Sequence, residues 1–145
     1  MESLPPRHLS DHEYTRLLGF RAGLRRFLRW SEERAAEVGL TATQHQLLLA
    51  IRGHADPQGP TIKELAAYLC IRHHSTVQLV DRVEQLGLVV RKRGEGKDRR
   101  VVRLRLTEHG EDKLSLLSAP HLEELHRLAL VAGLSEPVAA TAETP

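Results

Sequence analysis

The basic residues of the chain are concentrated in one short block, and this block points most directly to chemistry. Residues 91–105 carry eight Lys and Arg but two Asp and Glu, whereas the net charge of all 145 residues is only +2. Long cationic side chains reach phosphate oxygens and enter narrow minor grooves. An edge strand kept basic against aggregation would need only two or three such charges. The block therefore predicts a surface that contacts a polyanion.

A polar run at the start of a predicted helix is the second candidate. Ser75 begins a stretch whose apolar residues recur every three or four positions until Gly87. Polar side chains at a helix start suit phosphate and base-edge hydrogen bonds, and the helix N-terminus itself favours phosphate. A solvated helix start, in which Ser75 only caps the helix, is the alternative. The candidate contacts are Arg72, His73, His74, Ser75, Thr76 and Gln78.

The elements around these residues predict a winged helix-turn-helix. A capping box at Thr61 starts one short helix, and a second short helix is expected over about 75–85. A β-rich stretch, residues 88–93, and a strictly alternating stretch, 102–106, follow and are joined by a turn with two glycines. In this arrangement the second helix lies in the major groove and presents its N-terminal residues to base edges.

The turn between the two strands would form a basic wing tip. Lys97, Arg99 and Arg100 are the expected DNA contacts there, whereas Asp98 is expected to pair with an arginine and shape the turn. In the second strand the alternation predicts apolar side chains facing inward and arginines facing outward.

Long helical regions flank the winged part. The first is expected from the capping box at Ser10 to Gly39, about 28 residues and roughly 42 Å, which is too long for a compact monomer of this size. Helix resumes at Thr107, is expected to pause at Ser118-Ala119-Pro120, and carries a leucine-rich face. These helices predict a second subunit, although the leucines could instead pack within one chain. The fold class is thus mainly α with a small β-hairpin wing and long terminal dimerisation helices.

The expected organisation is a disordered N-terminus over 1–9, one domain over 10–134 and a disordered tail over 135–145. Within that domain the winged helix-turn-helix spans about 41–106, and the dimerisation helices span about 10–38 and 107–133. No apolar run is long enough for a membrane helix and no signal peptide is evident, so we expect a cytoplasmic protein. A lone cysteine in an apolar helix, Cys70, is expected to be buried.

Motifs of catalysis are absent from the sequence. It contains no Gly-rich phosphate loop, nucleophile elbow or HExxH motif, so we expect no enzyme. The histidines lack metal-ligand spacing, and neither a metal nor another cofactor is expected. An aromatic-ligand pocket is one interpretation of the aromatic residues, although they could equally be core and rim. The pocket candidates are Phe20, Phe27, Trp30 and His45.

Two blocks of the sequence resemble the MarR family of bacterial transcriptional regulators. The stretch 75–89 is similar to the recognition helix of that family. Asp98-Arg99-Arg100, followed at the family's spacing by residues 106–110 (Leu-Thr-Glu-His-Gly), resembles its wing. The similarity extends from about residue 12 to 132.

The resemblance implies a homodimer with intertwined terminal helices, bound to double-stranded DNA at a palindromic operator. It also implies a regulator, a repressor in our interpretation, that a small anionic aromatic effector releases from DNA. By position, Ser75, Thr76 and Gln78 resemble base- or phosphate-contacting residues, and Arg100 resembles the wing arginine associated with Asp98. Gln78 replaces an arginine of many relatives, so base preference does not transfer. The alternative function is a winged-helix module that binds an acidic protein partner.

Overall fold

The computed structural model describes residues 4–131, which form a mainly helical fold with one antiparallel hairpin. This confirms the winged helix-turn-helix expected from the sequence. The elements in chain order are α1 (Asp11–Glu37), α2 (Ala42–Gly53), α3 (Ile62–Leu69), α4 (His73–Gln85), β1 (Val89–Arg93), β2 (Val102–Leu106) and α5 (Glu108–Val131).

The described residues divide into two units, and α1 and α5 contribute to both. The helical unit comprises residues 4–30 and 120–131, and the winged unit comprises residues 31–119. Residues 4–10 form neither helix nor strand. The predictions for residues 1–3, for the end of the last helix beyond 131 and for the tail fall outside the described residues.

The ends of α1 follow the signals in the sequence. The backbone N–H of Ser10 donates to Glu13 Oε2 at 2.8 Å, and the N–H of Glu13 donates to the Ser10 hydroxyl at 3.2 Å, so the expected capping box is formed. At the other end Gly39 takes a φ of +80°, and the N–H of Leu40 donates to the Ala35 carbonyl at 2.9 Å. This closing turn needs a left-handed residue, which glycine provides without strain.

Aromatic and leucine side chains pack the helical unit. The rings of Trp30 and His121 lie 4.7 Å apart, and Phe27 contacts both of them. Gly23 lets α5 approach, since a Cβ there would lie 2.9 Å from Leu128 Cδ1. Much apolar surface of this unit is nevertheless exposed in the single chain, including Leu17, Leu18, Leu122, Leu125 and Leu130.

The helix after the wing is continuous, so the expected pause at Ser118-Ala119-Pro120 is wrong. Pro120 lies inside α5, where it lacks an N–H for the carbonyl one turn earlier. Packing on both sides of the proline offsets that one hydrogen bond. Before it, Leu114 and Leu117 are buried in the core of the winged unit, and after it the His121 ring packs at an angle against Trp30.

The winged unit has one apolar core to which every element of the motif contributes. Two threonine caps start its first two helices: Thr41 forms a complete capping box with Gln44, and Thr61 accepts from the N–H of Glu64. The buried apolar side chains of the core are Ala35, Leu40, Leu47, Leu48, Ile51, Leu65, Val80, Val83, Leu88, Val89, Leu104, Leu114 and Leu117.

The hairpin docks on the loop between α2 and α3 through backbone contacts. The pairing register runs from Val89 opposite Leu106 to Arg93 opposite Val102. The N–H of Leu104 donates to the Pro60 carbonyl at 2.8 Å, and a Cβ at Gly59 would overlap the carbonyl oxygen of Leu104. The loop therefore approaches the strand at backbone distance, which explains why glycine precedes the proline.

The start of α5 docks on the end of α4 in the same manner. The N–H of Thr107 donates to the Leu88 carbonyl at 3.0 Å, and the Thr107 hydroxyl donates to the Gly87 carbonyl at 2.6 Å. The same hydroxyl accepts from the N–H of Gly110 at 3.0 Å, and a Cβ at Gly110 would overlap the Leu88 carbonyl oxygen. These contacts account physically for a threonine followed three residues later by a glycine.

Cys70 is exposed, so the expectation that it is buried is wrong. It follows the last turn of α3 rather than lying inside the helix, and it takes the left-handed conformation with φ 53°. The N–H of Ile71 donates back to the Ala66 carbonyl at 3.2 Å and completes the helix end. The cysteine thus occupies a capping position usually held by glycine.

Gly110→Ala should destabilise the protein by about 1–3 kcal/mol, because the added methyl forces the first turn of α5 away from the Leu88 carbonyl. Equilibrium denaturation measures the free energy of unfolding. The matched control is Gly53→Ala at the end of α2, where a Cβ meets no atom within 4 Å and stability should hold or rise. Equal free energies of unfolding for Gly110→Ala and the wild type would show that the close approach is not a constraint.

Candidate nucleic-acid interface

The N-terminus of α4 is exposed and uncapped by any side chain. The helix begins at His73 with Arg72 as N-cap, two residues before the predicted start. Ser75 therefore lies within the first turn and does not cap the helix. The first turn contains no acidic residue, so its backbone N–H groups and partial positive charge are available to an anion.

Five of the six predicted contacts on this helix lie on the protein surface. The sixth, Thr76, is fully buried, and its hydroxyl donates to the Arg72 carbonyl at 2.9 Å. Burial and this internal hydrogen bond do not fit the predicted contact with DNA, because its side chain faces the core. The exposed residues are Arg72, His73, His74, Ser75 and Gln78.

The basic residues of the wing fall into two classes. Three arginines, Arg91, Arg103 and Arg105, are bound to other parts of the winged unit. The other five cations are exposed, and within residues 4–131 none of them forms an ion pair. These five, called here the free wing cations, are Lys92, Arg93, Lys97, Arg99 and Arg100.

Arg103 attaches β2 to the loop between α2 and α3, contrary to the expectation that it faces outward. Its Nη1 donates to the Gly59 carbonyl at 2.9 Å and lies 3.5 Å from Asp56 Oδ2. Its side chain is only 19% exposed. Arg105 is exposed as expected, yet its Nε donates to the Gln58 carbonyl at 3.3 Å. Arg103 shares a face of the strand with Arg105, as the alternation requires, but a neighbouring loop covers it.

Arg91 attaches β1 to α4 through two carboxylates. Its Nη2 lies 2.6 Å from Asp81 Oδ1, and its Nη1 lies 2.7 Å from Glu84 Oε1. Burial alone would lower the pKa of Arg91, but the hydrogen bonds and charges of Asp81 and Glu84 outweigh it and raise that pKa. Sequence reasoning missed this contact, although acids three residues apart on a helix share one face and signal a site for a cation.

Asp98 shapes the wing tip through its backbone and not through an arginine. Its N–H donates to the Glu95 carbonyl at 3.2 Å, and its carbonyl accepts from the N–H of Val101 at 2.9 Å. No ion pair joins Asp98 to an arginine in the described part of the chain, so the expected pairing is wrong. The tip forms a short 3-10 helix, Gly96–Asp98, which leaves Arg99 and Arg100 pointing to solvent.

Two of the four predicted effector residues line one cleft. Phe27 and Trp30 line an open cleft of about 300 Å³ in the helical unit, together with Arg26 and other residues of α1 and α5. Phe20 does not line this cleft. His45 belongs to α2 in the winged unit, where it is buried.

Residues 4–131 hold no group of three or more His, Cys, Asp and Glu side chains arranged to bind a metal ion. Over the same residues, no helix combines the length and the apolar character needed to cross a membrane.

Comparison with known proteins points to one family. Residues 38–100 match the model of the MarR family, whereas no curated protein matches the chain in sequence. Among solved structures, AbsC, a MarR family transcriptional regulator from Streptomyces coelicolor, is 22% identical with a TM-score of 0.70. The match covers 91% of this chain and 86% of AbsC.

Two similar structures contain DNA. The transcriptional repressor CouR, bound to a 23-mer DNA duplex, is 29% identical with a TM-score of 0.63 over 88% of this chain and 96% of CouR. A MepR mutant from S. aureus, bound to an oligodeoxyribonucleotide, is 20% identical with a TM-score of 0.62 over 88% and 87% of the two chains. AbsC and CouR are both transcriptional regulators. The segment 38–100, which spans the winged helix-turn-helix, thus matches the MarR family, and the fold is that of the solved MarR family regulators.

Proposed function

We propose that the protein is a homodimeric transcriptional repressor that binds a palindromic operator in double-stranded DNA. The observation that carries this proposal is the pairing of an exposed, acid-free N-terminus of α4 with the five free wing cations. The helix presents Arg72, Ser75 and Gln78 to base edges and phosphates, and the wing tip brings Lys97, Arg99 and Arg100 to the flanking backbone or minor groove. The DNA-bound state of CouR and MepR supports the same use of the fold.

The charge distribution supports a nucleic acid over an acidic protein as the partner. The exposed cations of the wing stand on a hairpin that projects from the core, and the helix beside it offers backbone donors as well as side chains. A groove of DNA accepts both features at once, because it has phosphates at its rim and polar base edges at its floor.

The exposed leucines of α1 and α5 support a homodimer. Leu18, Leu122 and Leu130 are each more than half exposed in the single chain. Burying such side chains against a second copy stabilises the assembly by roughly 1.5–3 kcal/mol for each full side chain. Two symmetric copies present two copies of α4, which suits two half-sites about 34–36 Å apart.

An anionic aromatic effector fits the cleft of the helical unit. Phe27 and Trp30 offer apolar walls, and Arg26 has no ion pair within residues 4–131, whereas Arg127 is paired with Glu124 at 2.6 Å. A planar carboxylate would stack on the rings and meet Arg26, and its binding would shift the dimer away from the DNA-binding arrangement.

Arg100→Ala should weaken binding to all duplexes alike and reduce the slope of log affinity against log salt by about one unit, because one phosphate contact is lost. Fluorescence anisotropy at several salt concentrations measures both quantities. Arg7→Ala, an equal charge change outside the winged unit, is the control and should leave the slope unchanged.

Gln78→Met should alter which sequence is selected from a random duplex library, while binding to random duplexes changes little, because the new side chain is of similar size and equally uncharged. Selection experiments with the wild type and the variant test this. If the wild type binds random duplexes as tightly as its selected sequence at physiological salt, the protein is not a sequence-specific regulator. Preference for an acidic protein partner over any duplex would favour the alternative function instead.

Leu122→Glu combined with Leu125→Glu should convert the dimer to a monomer without loss of helix content, since both side chains are exposed in the single chain. Sedimentation velocity gives the oligomeric state and circular dichroism gives the helix content. Leu49→Glu, a leucine of similar exposure on α2, is the matched control and should leave the dimer intact. A wild-type protein that sediments as a monomer at micromolar concentration would contradict the homodimer.

Benzoate, as a probe for aromatic carboxylates, should change the fluorescence of Trp30, the single tryptophan of the chain, in a saturable manner and release bound DNA. Arg26→Gln should weaken the benzoate response, because it removes the cleft arginine that is not paired with Glu124, while DNA binding without benzoate remains. A fluorescence signal that stays linear at millimolar benzoate would exclude this ligand class from the cleft.

A further inference from the structure

Arg91 differs from the free wing cations because its side chain turns back onto α4. Its two terminal nitrogens contact two carboxylates, Asp81 at 2.6 Å and Glu84 at 2.7 Å. These acids lie three residues apart and therefore on one face of the helix. One guanidinium thus bridges nearly a full turn of α4 from the first strand of the wing, a geometry that a lysine ammonium cannot reproduce.

This arrangement does not suit a direct contact with phosphate. Both terminal nitrogens of Arg91 are already engaged by anions, and its side chain is 30% exposed, less than Asp81 at 53% or Glu84 at 40%. A phosphate would have to displace a charge-assisted hydrogen bond that is at least as short as the one it could form. Arg91 therefore has a different role from Arg99 and Arg100.

The position of the bridge gives that role. Asp81 lies one turn after Gln78 on the helix that carries the candidate base contacts, and Arg91 lies in the strand that leads to the wing tip. The second strand is attached to the loop between α2 and α3 through Leu104, Arg103 and Arg105, whereas Arg91 attaches the first strand to α4. The side-chain bridge therefore adds, to the backbone contacts at Leu88, a direct attachment between the wing and the helix that carries the candidate base contacts.

We propose that Arg91 is a positioning residue that, through Asp81 and Glu84, holds the wing in a fixed relation to α4. The helix and the wing tip then meet DNA as one preorganised surface, and the ordering of the wing does not have to be achieved on binding. The inference rests on the proposed DNA-binding function.

Positioning by Arg91 and simple electrostatics predict opposite changes in DNA affinity when the two acids are neutralised. Asp81→Asn combined with Glu84→Gln removes two negative charges beside the DNA-facing helix, so electrostatics alone predicts tighter binding to a polyanion. Loss of positioning predicts weaker binding, by about tenfold. Glu95→Gln is the control, since this exposed acid of the wing tip has no ion pair within the described residues, and it should bind as tightly as the wild type or more tightly.

The test measures anisotropy at fixed salt with a duplex of about 30 base pairs that the wild type has selected from a random library. The double variant, Asp81→Asn with Glu84→Gln, should lower affinity for this duplex and leave the melting temperature within a few degrees, because both carboxylates are exposed. Arg91→Lys keeps the positive charge but cannot contact both carboxylates as the guanidinium does, so it should lower affinity by a similar factor. Wild-type affinity in Arg91→Lys or in the double variant would overturn the inference.

Failure of the proposed function has a different signature. If the wild type selects no duplex over random DNA, the DNA-binding proposal fails before any variant is compared. If the wild type is selective and the double variant is equally tight, DNA binding stands and Arg91 is not a positioning residue.

Discussion

The carbonyl group of Leu88 is the point on which the geometry of the winged unit depends. It lies between the end of α4 and the start of β1, it accepts the N–H of Thr107, and it faces a glycine, Gly110, where any Cβ would overlap it. Three elements therefore meet at backbone distance: the candidate recognition helix, the base of the wing and the first turn of α5. Contacts at this distance tolerate little displacement, because no flexible side chain lies between the partners to absorb it. The loop before α3 repeats the arrangement, with Gly59 against Leu104.

The basic block contains two kinds of cation, those bound to other parts of the winged unit and those exposed to solvent. Arg91 and Arg103 turn inward and attach the two strands to α4 and to the loop before α3, whereas the free wing cations project into solvent. Counting charges along the chain does not separate these two classes, since an arginine that holds the wing and one that reaches a phosphate look the same in the sequence. The two kinds of cation are nevertheless related, because the inward arginines stabilise the hairpin that carries the free wing cations.

Local signals predicted most of the secondary structure. The capping box at Ser10, the cap at Thr61, the glycine ends at Gly39 and Gly87 and the alternation in β2 are short-range patterns, and each corresponds to an element of the structure. The errors arose where tertiary packing overrode a local preference. Pro120 should interrupt a helix, yet side chains packed before and after it hold α5 continuous. Thr76 is polar and sits in the predicted contact run, yet the helix turns it into the core.

The sequence by itself determined the order of elements, the basic hairpin and the resemblance to the MarR family, because periodicity, caps and charge density are properties of neighbouring residues. It also indicated which helix and which turn would face a polyanion. Only the tertiary structure decided which side chains of those elements are exposed, which arginines are bound to Asp56, Asp81 and Glu84, and why Gly59 and Gly110 cannot carry a side chain. Those properties depend on contacts between residues that are distant in the chain. Tertiary packing determines these contacts, and the spacing of residues along the sequence does not.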